Sequence, residues 1–174
     1  MQSTGKLPHG GNRPHHLLCA SRPEVVTTTT TMVTTSTTTS TTIASCPPVD
    51  GSSRLVSIDF AAPVGVDVAG VTVLVDYPEA QVTIPGSGNA VSVKQSILDV
   101  PQGAFSSPND LDDALRVGVA SSDALAPGRL FTIQFEDCQG ATPPMAGDFS
   151  CTVEDASDPA GNTVTGVTCT VSTP

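Results

Sequence analysis

The sequence is poor in aromatic and basic residues, and these shortages exclude several functions. It has no Trp, one Tyr and five Phe among 174 residues. Seven Lys and Arg residues stand against 17 Asp and Glu, which gives a formal net charge of −10. Nucleic acids and anionic membrane surfaces are bound by clustered cations, so neither is expected as a partner. No apolar run approaches the length of a membrane-spanning helix, so no transmembrane segment is expected.

The charges and the aromatic residues are unevenly distributed along the chain. Residues 1–45 carry three cations and one acid, whereas residues 46–174 carry four cations, 16 acids and all six aromatic side chains. A segment without aromatic residues buries too little apolar surface to offset the entropy of folding. The sequence therefore predicts a disordered leader at 1–26, a Thr-rich stalk or linker at 27–45 and a folded domain at 46–174. Such stalks are typical of proteins displayed outside the cell.

Apolar and polar residues alternate with a period of two through most of the predicted domain. Val56, Ile58 and Phe60 illustrate the pattern, and Val71, Val73 and Val75 repeat it. Gly, Pro, Asn and Asp interrupt the alternation about every 8–15 residues, as in proteins built of short strands. The pattern predicts an all-β fold, a two-sheet antiparallel β-sandwich of eight or nine strands.

Two short segments carry weaker local signals. The run VSVK at 91–94 alternates like the other strands, so it is assigned to a strand. The run SSPNDLDDAL at 106–115 is the best candidate for a short helical turn, because Ser107 or Asn109 could cap it.

Four of the five cysteines lie in the predicted domain, and their even number indicates two disulfides formed in an oxidising compartment. This favours an extracellular or cell-surface location. Cys138 ends one predicted strand and Cys151 opens the next, which favours Cys138–Cys151 and leaves Cys46–Cys169. The alternative pair is Cys151–Cys169, because these residues lie symmetrically about a turn at 158–161. A zinc site is disfavoured, because the sequence has no Cys-x-x-Cys pair.

The predicted domain lacks the residue types of common hydrolytic sites. All three His lie before residue 17, which excludes Ser-His-Asp and Cys-His catalysis within residues 46–174, and a non-enzymatic protein is expected. The one candidate cofactor is calcium, for which Asp155, Asp158 and Asn162 would supply oxygen ligands around Gly161. The alternative is that these side chains bond their own backbone in a turn.

Four segments, in this order and spacing, resemble cohesin modules. They are GVTVLVDYP at 70–78, LRVGVASS at 115–122, PGRLFTIQF at 127–135, and a closing hairpin at 149–171 with DPAGN in its loop. The resemblance covers about residues 70–171. It implies a jelly-roll β-sandwich, related to families of cellulose-binding modules and often carried on Thr/Pro-rich linkers.

The resemblance also implies a function, which is recognition of a protein partner of the dockerin type through one sheet face. The outward positions of the matching strands would form that face, and they are Thr72, Leu74, Asp76, Lys94, Arg116, Thr152 and Glu154. Leu74 is the informative residue, because it is apolar where the alternation predicts contact with water; the alternative is that single surface leucines are normal. The other functions left open are binding of a carbohydrate or polysaccharide, and structural display at a surface.

Overall fold

The computed structural model describes residues 46–111 and 113–173. The predicted leader at 1–26 and stalk at 27–45 lie outside the described residues. The described part contains nine β-strands, the helix α1 (Val91–Gln95) and a 3₁₀ turn at Ala146–Asp148. The strands are β1 (Pro48–Ala61), β2 (Gly70–Asp76), β3 (Val82–Thr83), β4 (Ile97–Leu98), β5 (Phe105–Asp110), β6 (Ala114–Ala120), β7 (Gly128–Cys138), β8 (Ser150–Ser157) and β9 (Thr168–Ser172).

These strands form two antiparallel sheets. Sheet A has the order β3-β7-β1-β9, and β4 also pairs with β7. Sheet B has the order β5-β6-β2-β8. The predicted all-β sandwich of eight or nine strands is therefore confirmed, while the jelly-roll connection remains a prediction.

The core is made from the alternating apolar positions of both sheets. In β2 the residues Val71, Val73 and Val75 are buried, whereas their neighbours in sequence are partly or fully exposed. Phe131 and Phe135 of β7 are the largest fully buried side chains. Because successive side chains of a strand point to opposite faces, each strand places one apolar row in the core and one polar row outside.

The two open sides between the sheets are covered differently. On one side, α1 contacts β4 of sheet A and β5 of sheet B. On the other side, a disulfide between Cys151 and Cys169 joins β8, an edge strand of sheet B, to β9, an edge strand of sheet A. Both pairs of sheet edges are thus held together by packing or by a covalent bond.

The secondary structure predicted for the two short segments, 91–94 and 106–115, is wrong in both cases. Residues 91–95 form α1 instead of a strand, with a helical backbone bond from Lys94 N to Ala90 O of 3.2 Å. Alternation over four residues does not separate a strand from one helical turn, and here Val93 is buried while Val91 is 69% exposed. The segment 106–115 is not helical, because β5 and β6 pair there; Pro108 is tolerated because β5 is an edge strand.

The disulfides differ from the favoured pairing. The structure joins Cys46 to Cys138 and Cys151 to Cys169, with Cα–Cα distances of 5.0 and 6.0 Å. The pairs Cys138–Cys151 and Cys46–Cys169 are therefore wrong, and the alternative Cys151–Cys169 is the one observed. The reason is topological, since β7 lies inside sheet A between β3 and β1, whereas β8 and β9 are edge strands of the two sheets and contact each other. Cys138 instead lies opposite Pro48 of β1, beside Cys46.

Candidate functional site

The outer face of sheet B collects six of the seven residues proposed for partner binding. The register places Leu74 of β2 directly between Arg116 of β6 and Thr152 of β8. Directly paired residues share a face, and the buried valines of β2 point into the core, so these three side chains point outward. The six residues of this outer face are Thr72, Leu74, Asp76, Arg116, Thr152 and Glu154.

Leu74 occupies the middle of this face. It is partly exposed, and the other residues in the same row, on the three other strands of sheet B, are polar. The row reads Asn109, Arg116, Leu74 and Thr152 from β5 to β8. Protein contact surfaces place apolar residues inside a polar rim, and a single partly exposed leucine is also normal on a surface without a partner.

A two-point ion pair crosses the face. Arg116 donates from Nε to Glu154 Oε2 at 2.6 Å and from Nη2 to Oε1 at 2.9 Å. The pair spans β2, because Arg116 lies on β6 and Glu154 on β8. The β8 ladder has a bulge here, since Val73 pairs with Val153 but Thr72 pairs with Asp155, and Glu154 is the extra residue.

The ion pair shifts the titration of both groups. The hydrogen bonds from Arg116 lower the pKa of the Glu154 carboxyl, and those to Glu154 raise the pKa of the Arg116 guanidinium. Both groups are charged at neutral pH, and their opposite charges largely cancel. The bidentate geometry fixes two long side chains, so a partner meets a partly ordered surface.

The rest of the face carries mainly short and polar side chains. Asp76 accepts a hydrogen bond from Ser150 Oγ at 2.8 Å, which holds its carboxylate against the sheet. Gly118 of β6 pairs with Thr72, and no side chain rises between the neighbouring strands at this point. Phe105 stands at one corner and is 66% exposed. Sequence reasoning did not place Phe105 here, because β5 itself was not recognised as a strand.

Lys94 does not belong to this face. It lies on α1, which covers the side between the sheets and contacts β4 and β5. Its assignment to the face depended on the assignment of 91–94 to a strand, and both are wrong. Arg116 is therefore the one cation among the six residues of this face.

The residues proposed as calcium ligands have different structural roles in the fold. Asp155 lies on β8 opposite Thr72 and points outward. Asp158 accepts hydrogen bonds from Asn162 N at 2.8 Å, Asn162 Nδ2 at 2.9 Å and Ala160 N at 2.9 Å. These bonds, those of Asn162 foremost, lower the pKa of Asp158. Its carboxylate thus closes its own turn, and within residues 46–111 and 113–173 no group of three His, Cys, Asp or Glu side chains is arranged to hold a metal ion.

The single tyrosine is an inward residue with a polar partner. Tyr77 is buried, and its ring lies 5.0 Å from that of Phe135. Its hydroxyl donates to Asp110 Oδ1 at 2.8 Å. Burial first, and then this bond, raise the pKa of Tyr77 well above its ordinary value. The bond ties the end of β2 to β5, the edge strand of the candidate face.

Comparisons with known proteins add no assignment. No protein-family model matches the chain, and neither a curated protein nor a solved structure matches it significantly. In the described part of the chain, no helix has the length and apolar character required to cross a membrane.

Proposed function

We propose that residues 46–174 form a cohesin-like, non-enzymatic recognition domain that binds a protein partner, of the dockerin type or another, through the outer face of sheet B. The observation that carries the proposal is the position of Leu74 among the five other residues selected from the sequence that share this face. These residues come from β2, β6 and β8, which are far apart in sequence and adjacent in the sheet.

An extracellular or cell-surface location belongs to the same proposal. Two disulfides are formed by the four cysteines of the domain, as is typical of proteins that fold in an oxidising compartment. A Thr-rich segment directly precedes the first of these cysteines, Cys46. Both features support a domain held away from a surface or from another module.

Binding to a flat crystalline polysaccharide has less support. Such binding relies on several coplanar aromatic rings, and among the described aromatic residues Phe105 alone is exposed. Tyr77, which could stack on a sugar if it faced water, is buried instead. The aromatic residues therefore favour a protein partner for this face.

The experiment compares two leucines on opposite sheets. The full chain is immobilised, and purified dockerin modules and the proteins of the surrounding medium are passed over wild type, Leu74→Asp and Leu55→Asp. Leu55 is the matched control, because it is 42% exposed on the outer face of sheet A. We expect a partner that wild type and Leu55→Asp retain and that Leu74→Asp loses.

Two outcomes would contradict the proposal. Equal retention by Leu74→Asp would remove this face from consideration, and loss by both variants would show that binding does not depend on the Leu74 surface in particular. Asp is unfavourable in a central strand, so Leu74→Thr provides a variant with a β-favouring residue. Thermal melting of each variant separates lost binding from lost folding.

A further inference from the structure

A groove with a hydroxyl-bearing floor lies on the outer face of sheet A, opposite to the face discussed above. The register aligns Thr132 of β7, Ser57 of β1 and Ser172 of β9 in one row across three strands. Ser57 Oγ and Thr132 Oγ1 are 3.5 Å apart, at the outer limit for a hydrogen bond between hydroxyls. Both residues are buried although they point away from the core, and they line a depression of about 260 Å³.

The two sides of the hydroxyl row differ in chemistry. On one side, the exposed side chain of Leu55 offers an apolar surface. On the other side, Arg129 Nε lies 3.8 Å from Asp59 Oδ1, and Ser172 Oγ donates to Asp59 Oδ2 at 3.2 Å. The β1–β7 ladder is irregular between Ile58 and Asp59, next to the groove. Irregularities of this kind re-aim side chains beside binding sites.

Asp99 completes the groove in an unusual backbone conformation. Its φ of 54° lies in the left-handed region, and it is the one non-glycine residue with a positive φ in the described part of the chain. The conformation turns the chain directly after β4 and places Asp99 on the lining. Within that part of the chain, no hydrogen bond or ion pair engages its carboxylate. Such conformations cost free energy and are often retained where a side chain serves a ligand.

From these observations we propose that the groove binds one neutral sugar residue of a soluble glycan. The Arg129 guanidinium donates to sugar hydroxyls, the Asp99 carboxylate accepts from them, and the hydroxyls on the floor can do either. Leu55 contacts the apolar C–H face of the ring. The volume is slightly below that of drug-sized pockets, which fits one ring and not an extended chain.

Other classes of ligand fit the groove less well. Asp59 and Asp99 outnumber Arg129, so the local charge disfavours phosphate and other anions. A divalent cation is disfavoured because three metal-ligating side chains do not converge within the described residues. This site is independent of the protein-binding face, and either proposal stands if the other fails.

Isothermal titration of the full chain with neutral hexasaccharides of glucose, xylose and mannose tests the site, with a hexasaccharide of galacturonic acid as the anionic comparison. At least one neutral sugar is expected to bind, and the anionic one is expected to bind more weakly. Asp99→Gly removes the carboxylate and accepts the positive φ, so it should fold normally and weaken binding about tenfold or more. Leu74→Asp, on the opposite sheet, should leave sugar binding unchanged.

The same titrations contain the results that overturn the site. Failure of all neutral sugars to bind at millimolar concentration would refute it, as would unchanged affinity in Asp99→Gly. Stronger binding of the galacturonic acid hexasaccharide would refute the neutral class of ligand. Loss of sugar binding in Leu74→Asp, with folding intact, would place the sugar on sheet B instead.

Discussion

The two disulfides are expected to contribute unequally to stability, and the inequality follows from the lengths of the loops they close. Cys46 and Cys138 are separated by 92 positions in the sequence, and Cys151 and Cys169 by 18. In the chain-entropy model these loops correspond to about 4.6 and about 3.2 kcal/mol of unfolded-state entropy. Replacing Cys46 and Cys138 together by Ser should therefore cost about 1.4 kcal/mol more than replacing Cys151 and Cys169.

Local structure in the native state should further increase the difference between the contributions of the two disulfides. Cys46 holds the start of β1 against β7, where the register passes from the Pro48–Cys138 pair to the Ser53–Glu136 pair through an irregular stretch. Residues 48–51 are exposed and bury little apolar surface. Without the disulfide this stretch has few interactions that oppose local opening. The buried part of β1, around Val56 and Ile58, should stay paired.

Urea unfolding of wild type and both double-serine variants measures the first effect. The Cys46/Cys138 variant should have the lowest urea midpoint of the three. The slopes of the free energy of unfolding against urea concentration are compared as well, because opening a large loop also expands the unfolded state. Hydrogen exchange measures the second effect, with faster exchange expected at 49–53 and unchanged protection near Val56. If the Cys151/Cys169 variant were equally or more destabilised, loop closure would not govern the contribution of these disulfides.

Two further predictions concern polar contacts between strands. The hydrogen bond from Ser52, with a smaller contribution from Arg54, holds the pKa of Asp137 below its ordinary value. Asp137 therefore stabilises the fold above about pH 4 and loses this effect as the pH falls through its folded pKa. The melting temperatures of wild type and Asp137→Asn should for this reason converge in acid. A difference in melting temperature that stayed constant down to about pH 2.5 would contradict this. Tyr77→Phe removes the donor to Asp110 and should lower the free energy of unfolding by about 1–2 kcal/mol in urea titrations, whereas an unchanged midpoint would mean that the bond contributes nothing to stability.

Much of the fold could be predicted from sequence, because a strand with one buried face carries its own signature. Val71, Val73 and Val75 alternate with polar residues since each second side chain points into the core. The six predicted outward positions on β2, β6 and β8 are outward in the structure for the same reason. The prediction was weakest where no buried row exists, as in β5, whose one buried side chain is Pro108.

Helix α1 shows a second limit of the sequence signal. Five residues with two valines fit a strand and a helical turn equally well, and packing against β4 and β5 selects the helix. Because residues 91–94 were assigned to a strand, Lys94 was wrongly placed on the outer face of sheet B. A site residue inferred from a short element therefore depends entirely on that element's assignment.

The sequence by itself determined the all-β class, the strands with a buried row and the presence of an even set of domain cysteines. Only the tertiary structure decided which cysteines pair, because pairing depends on which strands lie next to each other in and between the sheets and not on order along the chain. The same holds for the hydroxyl row of Thr132, Ser57 and Ser172. Its members lie far apart in sequence and meet through strand register, which is set by long-range packing and leaves no local pattern to read.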